Sequence, residues 1–206
     1  SVRLILVIFL MLVSFTSMAQ MQLDADINGA AAYDAFGQSV SLSSEGNRLA
    51  VGAIGNDGNG LDSGQVRVYR WTGSSWLQLG EDIYGEAAYD EMGRSVSLSS
   101  DGTRVAIGAS GNDGNGINAG QVRVYQWSGS DWTQLGSDID GEAFGDLSGW
   151  SVSMSTDGNR VAIGAPLNIN ENGIDAGQVR VYQWTGFFWT QLGADIDGEA
   201  AYDEVG

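Results

Sequence analysis

The string "GNDGNG" stands at residues 55–60 and again, letter for letter, at 111–116. Its side chains are those of a calcium loop, because Ca2+ collects roughly six to eight oxygens, carboxylates and amide carbonyls among them. Asp57, Asn59 and Asp62 would offer three such oxygens in the first copy, and Asp113, Asn115 and Asn118 in the second. A third version, "NINENGID", carries Glu171 and Asp175. The same residue types also build plain turns. Each set is poor in carboxylates, and the short tandem period of the glycine- and aspartate-rich calcium rolls is absent. A solvated, glycine-rich turn is therefore the better reading. Calcium at Asp57, Asn59, Asp62, Asp113 and Asn115 is the alternative, and no other cofactor is indicated.

A second acidic cluster, "SDIDGEAFGD", holds Asp138, Asp140, Glu142 and Asp146, with counterparts Asp82, Glu86 and Asp90 before it and Asp195, Asp197, Glu199 and Asp203 after it. A metal or basic ligand could be held there; a solvated linker explains it more simply. Tryptophans recur in pairs five apart, Trp71 with Trp76, Trp127 with Trp132 and Trp184 with Trp189. That spacing brings two rings together across a hairpin. Such rings could stack on a sugar, but sealing one repeat against the next is the favoured role. Phe187 and Phe188, at one hairpin tip, have no core role in this pattern and are the specific candidates for an exposed ligand contact. Arginines also recur, Arg48, Arg104 and Arg160 in one strand and Arg67, Arg123 and Arg180 in another. A residue repeated in every copy reads as structural, most simply paired with the acidic linkers.

The chain has neither histidine nor cysteine. It thus lacks the commonest general base and the thiol nucleophile, and its carboxylates recur on linkers rather than as a pair split in environment. The reading is of a protein that is not an enzyme. Against 26 carboxylates stand nine arginines and no lysine, a net charge of −17. That surface repels nucleic acid and anionic lipid. Arg3, the apolar run Leu4–Val13 and the small residues up to Ala19 read as a secretory leader at 1–19, since the apolar run is about half the ~20 residues a membrane-spanning helix needs. The expected mature chain has no transmembrane segment and is secreted or displayed at the cell surface.

What must position these residues is a tandem repeat. "GQSVSLSSEGNRLAVGA" from Gly37, "GRSVSLSSDGTRVAIGA" from Gly93 and "GWSVSMSTDGNRVAIGA" from Gly149 lie 56 residues apart. "GQVRVY" follows in each copy, at Gly64, Gly120 and Gly177. "SVSLS" and "QVRVY" alternate polar and apolar residues, as half-buried strands do. "NRLAVGA" is apolar on successive positions and so covered on both faces. Asp-Gly and Gly-Asn make the turn between the first two strands, and "WLQLG" is a short outer strand. No segment has helical periodicity.

Four strands per copy, in tandem, predict an all-β fold of β-propeller blades, each a four-stranded antiparallel sheet, with a β-solenoid as the alternative. The expected parts are an orphan outer strand and linker at 20–36, blades at 37–92, 93–148 and 149–205, and the start of another at Gly206. Three blades fall short of the roughly four to eight that close a ring. The ring is therefore expected to be incomplete, the chain to be part of a longer open reading frame, and closure to need further blades or self-association.

The order of these pieces resembles the FG-GAP repeat family, the repeats of the integrin α-chain propeller and of many secreted microbial proteins. The namesake positions are Phe36-Gly37, Met92-Gly93, Ser148-Gly149 and Val205-Gly206, then Gly52-Ala53-Ile54, Gly108-Ala109-Ser110 and Gly164-Ala165-Pro166. An aspartate near each FG site, Asp34, Asp90, Asp146 and Asp203, is like the family too. The family's calcium loop between the first two strands is reduced here to "SSEGNR", "SSDGTR" and "STDGNR", so that metal site is not carried over. The resemblance implies a binding or adhesion module that meets an extracellular protein through propeller loops. A glycan is the alternative ligand, and a structural or accessory domain of a larger secreted protein the alternative role.

Overall fold

The computed structural model describes residues 22–206; the segment 1–19 expected to be a leader, with Gln20 and Met21, lies outside the described residues. Among the described residues there is no helix, so none is long and apolar enough to cross a membrane. Within the described residues fifteen strands form three antiparallel sheets. The first contains β1 (Phe36–Leu42), β2 (Arg48–Ala53), β3 (Gln65–Trp71), β4 (Trp76–Gln78) and β5 (Ile83–Tyr84). The second contains β6 (Met92–Leu98), β7 (Arg104–Ala109), β8 (Gln121–Trp127), β9 (Trp132–Gln134) and β10 (Ile139–Asp140). The third contains β11 (Ser151–Met154), β12 (Arg160–Ala165), β13 (Gln178–Trp184), β14 (Trp189–Gln191) and β15 (Ile196–Asp197).

Each sheet is a four-position blade whose outer position is broken in two. Tyr69 pairs with Gln78 and Val66 with Ile83, so three steps along β3 match five along the outer strand. The excess is looped out around Gly80, whose φ of 69° suits glycine. The acidic stretch after "WLQLG", expected to be a linker, thus rejoins the sheet as β5, β10 and β15.

The core lies between blades rather than inside one. Ala50, Val66, Val68 and Ile83 of the first blade pack on Met92, Val96, Leu98, Val105 and Ile107 of the second. Ala106, Val122, Val124 and Ile139 do the same against Val161 and Ile163 of the third. The middle strand is buried on both faces, as its unbroken apolar run requires. The glycine of each "GA" step has a packing reason, because a side chain at Gly52 or Gly108 would meet the Gly93 or Gly149 carbonyl of the next blade.

The blades are also stitched by hydrogen bonds that repeat. Ser39 Oγ donates to the Gly93 carbonyl at 2.7 Å and Ser95 Oγ to that of Gly149 at 2.8 Å. Arg48 reaches the Gly102 carbonyl, and Arg104 that of Gly158, each at 3.0 Å. Val40 and Leu42 of the first blade stay exposed where their counterparts Val96 and Leu98 are buried, and Leu192 and Ile196 of the third are exposed likewise. Three blades in a row, with no closed ring, leave a free face on each end blade. Gln22 and Leu23, expected in an orphan strand, pair with no strand among the described residues. Asp24 instead takes the positive φ of Gly80 and accepts the Trp76 amide at 3.0 Å.

Candidate functional site

Every blade has two ends. The β1–β2 turn and β3–β4 hairpin, with their counterparts, form the turn end; the β2–β3 loop and the linker to the next blade form the loop end. "GNDGNG" belongs to the loop end, where its polar groups satisfy one another. Asn56 Oδ1 accepts the Gly58 amide at 3.0 Å, and Asp57 Oδ1 the Asp62 amide at 2.9 Å. Asn59 donates its side-chain amide to the Gly85 carbonyl at 2.8 Å. Asp113 and Asn115 repeat these bonds with Asn118 and Gly141. Asn59 and Asn115 therefore tie the loop to the linker while Asp57 and Asp113 brace the loop itself, and no group of three or more acidic side chains that could hold a metal occurs among the described residues.

Three of the four aspartates near the FG sites are withdrawn from solvent, Asp90 and Asp146 against the expected solvated linker, and Asp203 is exposed. Asp34, Asp90 and Asp146 are buried. Asp90 Oδ2 accepts the Glu86 and Ala87 amides, both at 2.9 Å, and caps the linker. Asn56 donates to Asp34 at 3.0 Å and Asn168 to Asp146 at 3.1 Å, joining loop to linker across 22 residues. Burial pushes the Asp90 carboxyl upward, against the lowering effect of the Ala87 and Asn112 donors.

The arginines divide. Arg67 grips Asp82 with two bonds of 3.0 Å, and Gln78 and Gln65 donate to the same carboxylate. Burial raises the Asp82 pKa, but the Arg67 and Gln78 donors outweigh it and hold the group low. Arg123 pairs with Asp138 at 3.3 Å and, across the blade joint, with Glu86; Arg180 meets Glu142 at 3.4 Å. These three pair with the acidic segment as expected. Arg48 and Arg104 do not, because they start at the turn end, out of reach of the linkers, and bind the next blade's turn instead.

The tryptophan pairs meet at ring-centroid separations of 5.4 Å, tilted by 50–55°. Trp132 Nε1 donates to the Leu79 carbonyl at 3.0 Å, and Trp189 Nε1 to that of Leu135 at 2.8 Å. Their edges are spent on the joint between blades. Phe187 and Phe188 are exposed, 84% and 58%, at the turn-end tip of the third blade.

One feature of the loop end escaped the sequence. Tyr89 donates its amide to the Leu61 carbonyl, and both side chains project into solvent. Tyr202 and Ile174 repeat the pair in the third blade. In the second, Gly145 bonds to Ile117, and the neighbouring Phe144 supplies the exposed ring. Tyr33, Tyr89 and Tyr202 have φ of 72°, 68° and 66°, where the equivalent Gly145 has 81°. A left-handed conformation costs a side-chain-bearing residue about 1–2 kcal/mol. These tyrosines bear that cost while 96%, 59% and 69% exposed, so no packing repays it. A positive φ leaves no mark in a sequence, and single apolar residues among Gly and Asp look incidental.

The FG-GAP repeat family model matches residues 24–69 and 85–125. Among curated proteins none matches the chain. Of solved structures, Saccharomyces cerevisiae Sqt1 is similar at 15% identity and a TM-score of 0.52, over 83% of this chain and 37% of that one. Kuenenia stuttgartiensis hydrazine synthase (14% identity, TM-score 0.48, 77% of this chain and 36% of that) is also similar. A putative 6-phosphogluconolactonase from Bacteroides uniformis gives 12% and 0.48 over 75% and 39%. The chain spans a little over a third of these structures. The Sqt1 likeness bears on fold alone, and it agrees with blades of a propeller.

Proposed function

Because the chain carries FG-GAP repeats in blade-like sheets, we propose that it is a non-catalytic module that binds an extracellular protein through the loop end of its blades. The observation that supports this reading is the exposed pair on each blade, Leu61 with Tyr89, Ile117 with Phe144 and Ile174 with Tyr202. An exposed apolar pair recurring at the same loop-end position of three successive blades is the arrangement a partner would cover. Preformed main-chain bonds hold two of the pairs directly and the second through Gly145, next to Phe144, so binding costs little ordering. The leader-like residues 1–19 support export to the medium or cell surface, and the free faces of the end blades suit a further blade, from the same chain or a second copy.

A protein array and a glycan array, both probed with the chain, test this. Protein partners lost on Tyr89→Ser with Phe144→Ser, and kept on Phe187→Ser with Phe188→Ser, are expected. Partners lost only with the phenylalanine pair would move the site to the turn end. Glycan hits without protein hits would favour the lectin-like alternative.

A further inference from the structure

We infer that the loop-end ridge takes a cationic protein segment, one whose Lys or Arg side chains alternate with apolar ones. This rests on the loop-end reading and narrows it to a partner chemistry. The ridge lies in a one-sign field: segments 54–64, 110–120 and 166–177, with linkers 85–92, 141–149 and 198–206, hold thirteen carboxylates and no Lys or Arg. Arg94, just beyond one linker, is occupied, its guanidinium carbon 3.4 Å from the Trp150 ring centroid. Arg123 and Arg180, which approach the linkers from below, are paired with Glu86 and Glu142. A basic partner therefore meets both attraction and exposed π faces.

Other occupants fit less well. Asn59, Asn115 and Asn172, which could have bridged to a sugar, are held toward the linker by bonds to the Gly85, Gly141 and Gly198 carbonyls. Leu61, Ile117 and Ile174, beside the rings, offer a sugar nothing polar. An anionic membrane is repelled by the same carboxylates. The tyrosines decide between support and recognition: at a left-handed position glycine would serve the backbone as well, as Gly145 does, so what Tyr33, Tyr89 and Tyr202 add is their exposed side chains.

The test uses the whole chain and two labelled peptides, one alternating lysine with leucine and one alternating glutamate with leucine, followed by fluorescence anisotropy at low and physiological salt. The lysine peptide is expected to bind, more weakly as salt rises, and the glutamate peptide is not. The triple variant Tyr33→Gly/Tyr89→Gly/Tyr202→Gly keeps every formal charge and should weaken lysine-peptide binding at least tenfold without lowering Tm. Should the glycines lower Tm, the corresponding asparagine variant, which tolerates positive φ, replaces it. Equal binding by parent and variant would mean attraction by charge alone and overturn the inference. So would array partners that need the ridge but are acidic or insensitive to salt, which would leave the broader reading intact.

Discussion

The two ends of a blade use similar residues for different ends. At the turn end, Arg48, Arg104, Trp132 and Trp189 reach across into the neighbouring blade. At the loop end, Asn56, Asn59 and the buried aspartates tie loop to linker, and the apolar side chains turn outward. Blades are joined at both ends, by Arg48, Arg104, Trp132 and Trp189 at one and by Arg123 with Glu86 and Asn168 with Asp146 at the other, but only the loop end also sets a recurring exposed apolar side chain beside these ties.

Substitutions that strike the two ends should separate these roles. Trp132→Ala removes a buried ring and its bond to Leu79, and should cost about 3–5 kcal/mol in urea unfolding while leaving ligand binding at folded-state conditions intact. Asp90→Ala deprives two amides of their acceptor. A loss of about 2–3 kcal/mol, with weaker binding as well, is expected, because this knot shapes the loop end. Arg104→Ala unlinks the second and third blades at Gly158 and Asn159, for about 1–3 kcal/mol and no change in binding. Phe144→Ala should move stability by no more than about 0.5 kcal/mol, with its effect read in binding alone.

Acid sharpens the same contrast. At the turn end, the Ser155 and Asn159 donors lower the Asp157 carboxyl from 3.8 to about 2. Burial works against Asp101 there, but Thr103 and Ser99 hold it low as well. Groups depressed in the folded state stabilise it above their unfolded value and lose that contribution as pH falls through the folded one. Asp90 at the loop end is raised, so its ionised form costs stability, and that cost is relieved as pH falls through its folded value. Amide exchange at Asn159 should therefore accelerate, relative to Ala87, between pH 3.8 and 2, and that at Thr103 likewise below pH 3.8. Uniform acceleration at both ends would contradict the assignment.

The strands with strong two-residue alternation, and the Asp-Gly turns, were legible because their causes are local. The broken outer strand was not, since two looped-out residues hide the return of Ile83 to β3. Asp90 looked solvated because the side chain that shares its burial, Asn112, lies 22 residues away. Phe187 and Phe188 stood out as a departure from "SS" and "SD" in the sister hairpins and are indeed exposed. The periodicity of Arg48 and Arg67 showed that both are structural, but not that one points along the array and the other within its own blade.

The stitches between blades have a genetic consequence. Each copy carries both halves of the joint, the Ser39 and Arg48 donors on one side and the acceptors equivalent to Gly93 and Gly102 on the other. Unequal recombination between near-identical copies adds or removes 56 codons at a time, and every joint in the product still finds its partner. A change in blade number therefore needs no compensating mutation, because no joint depends on a residue peculiar to one copy.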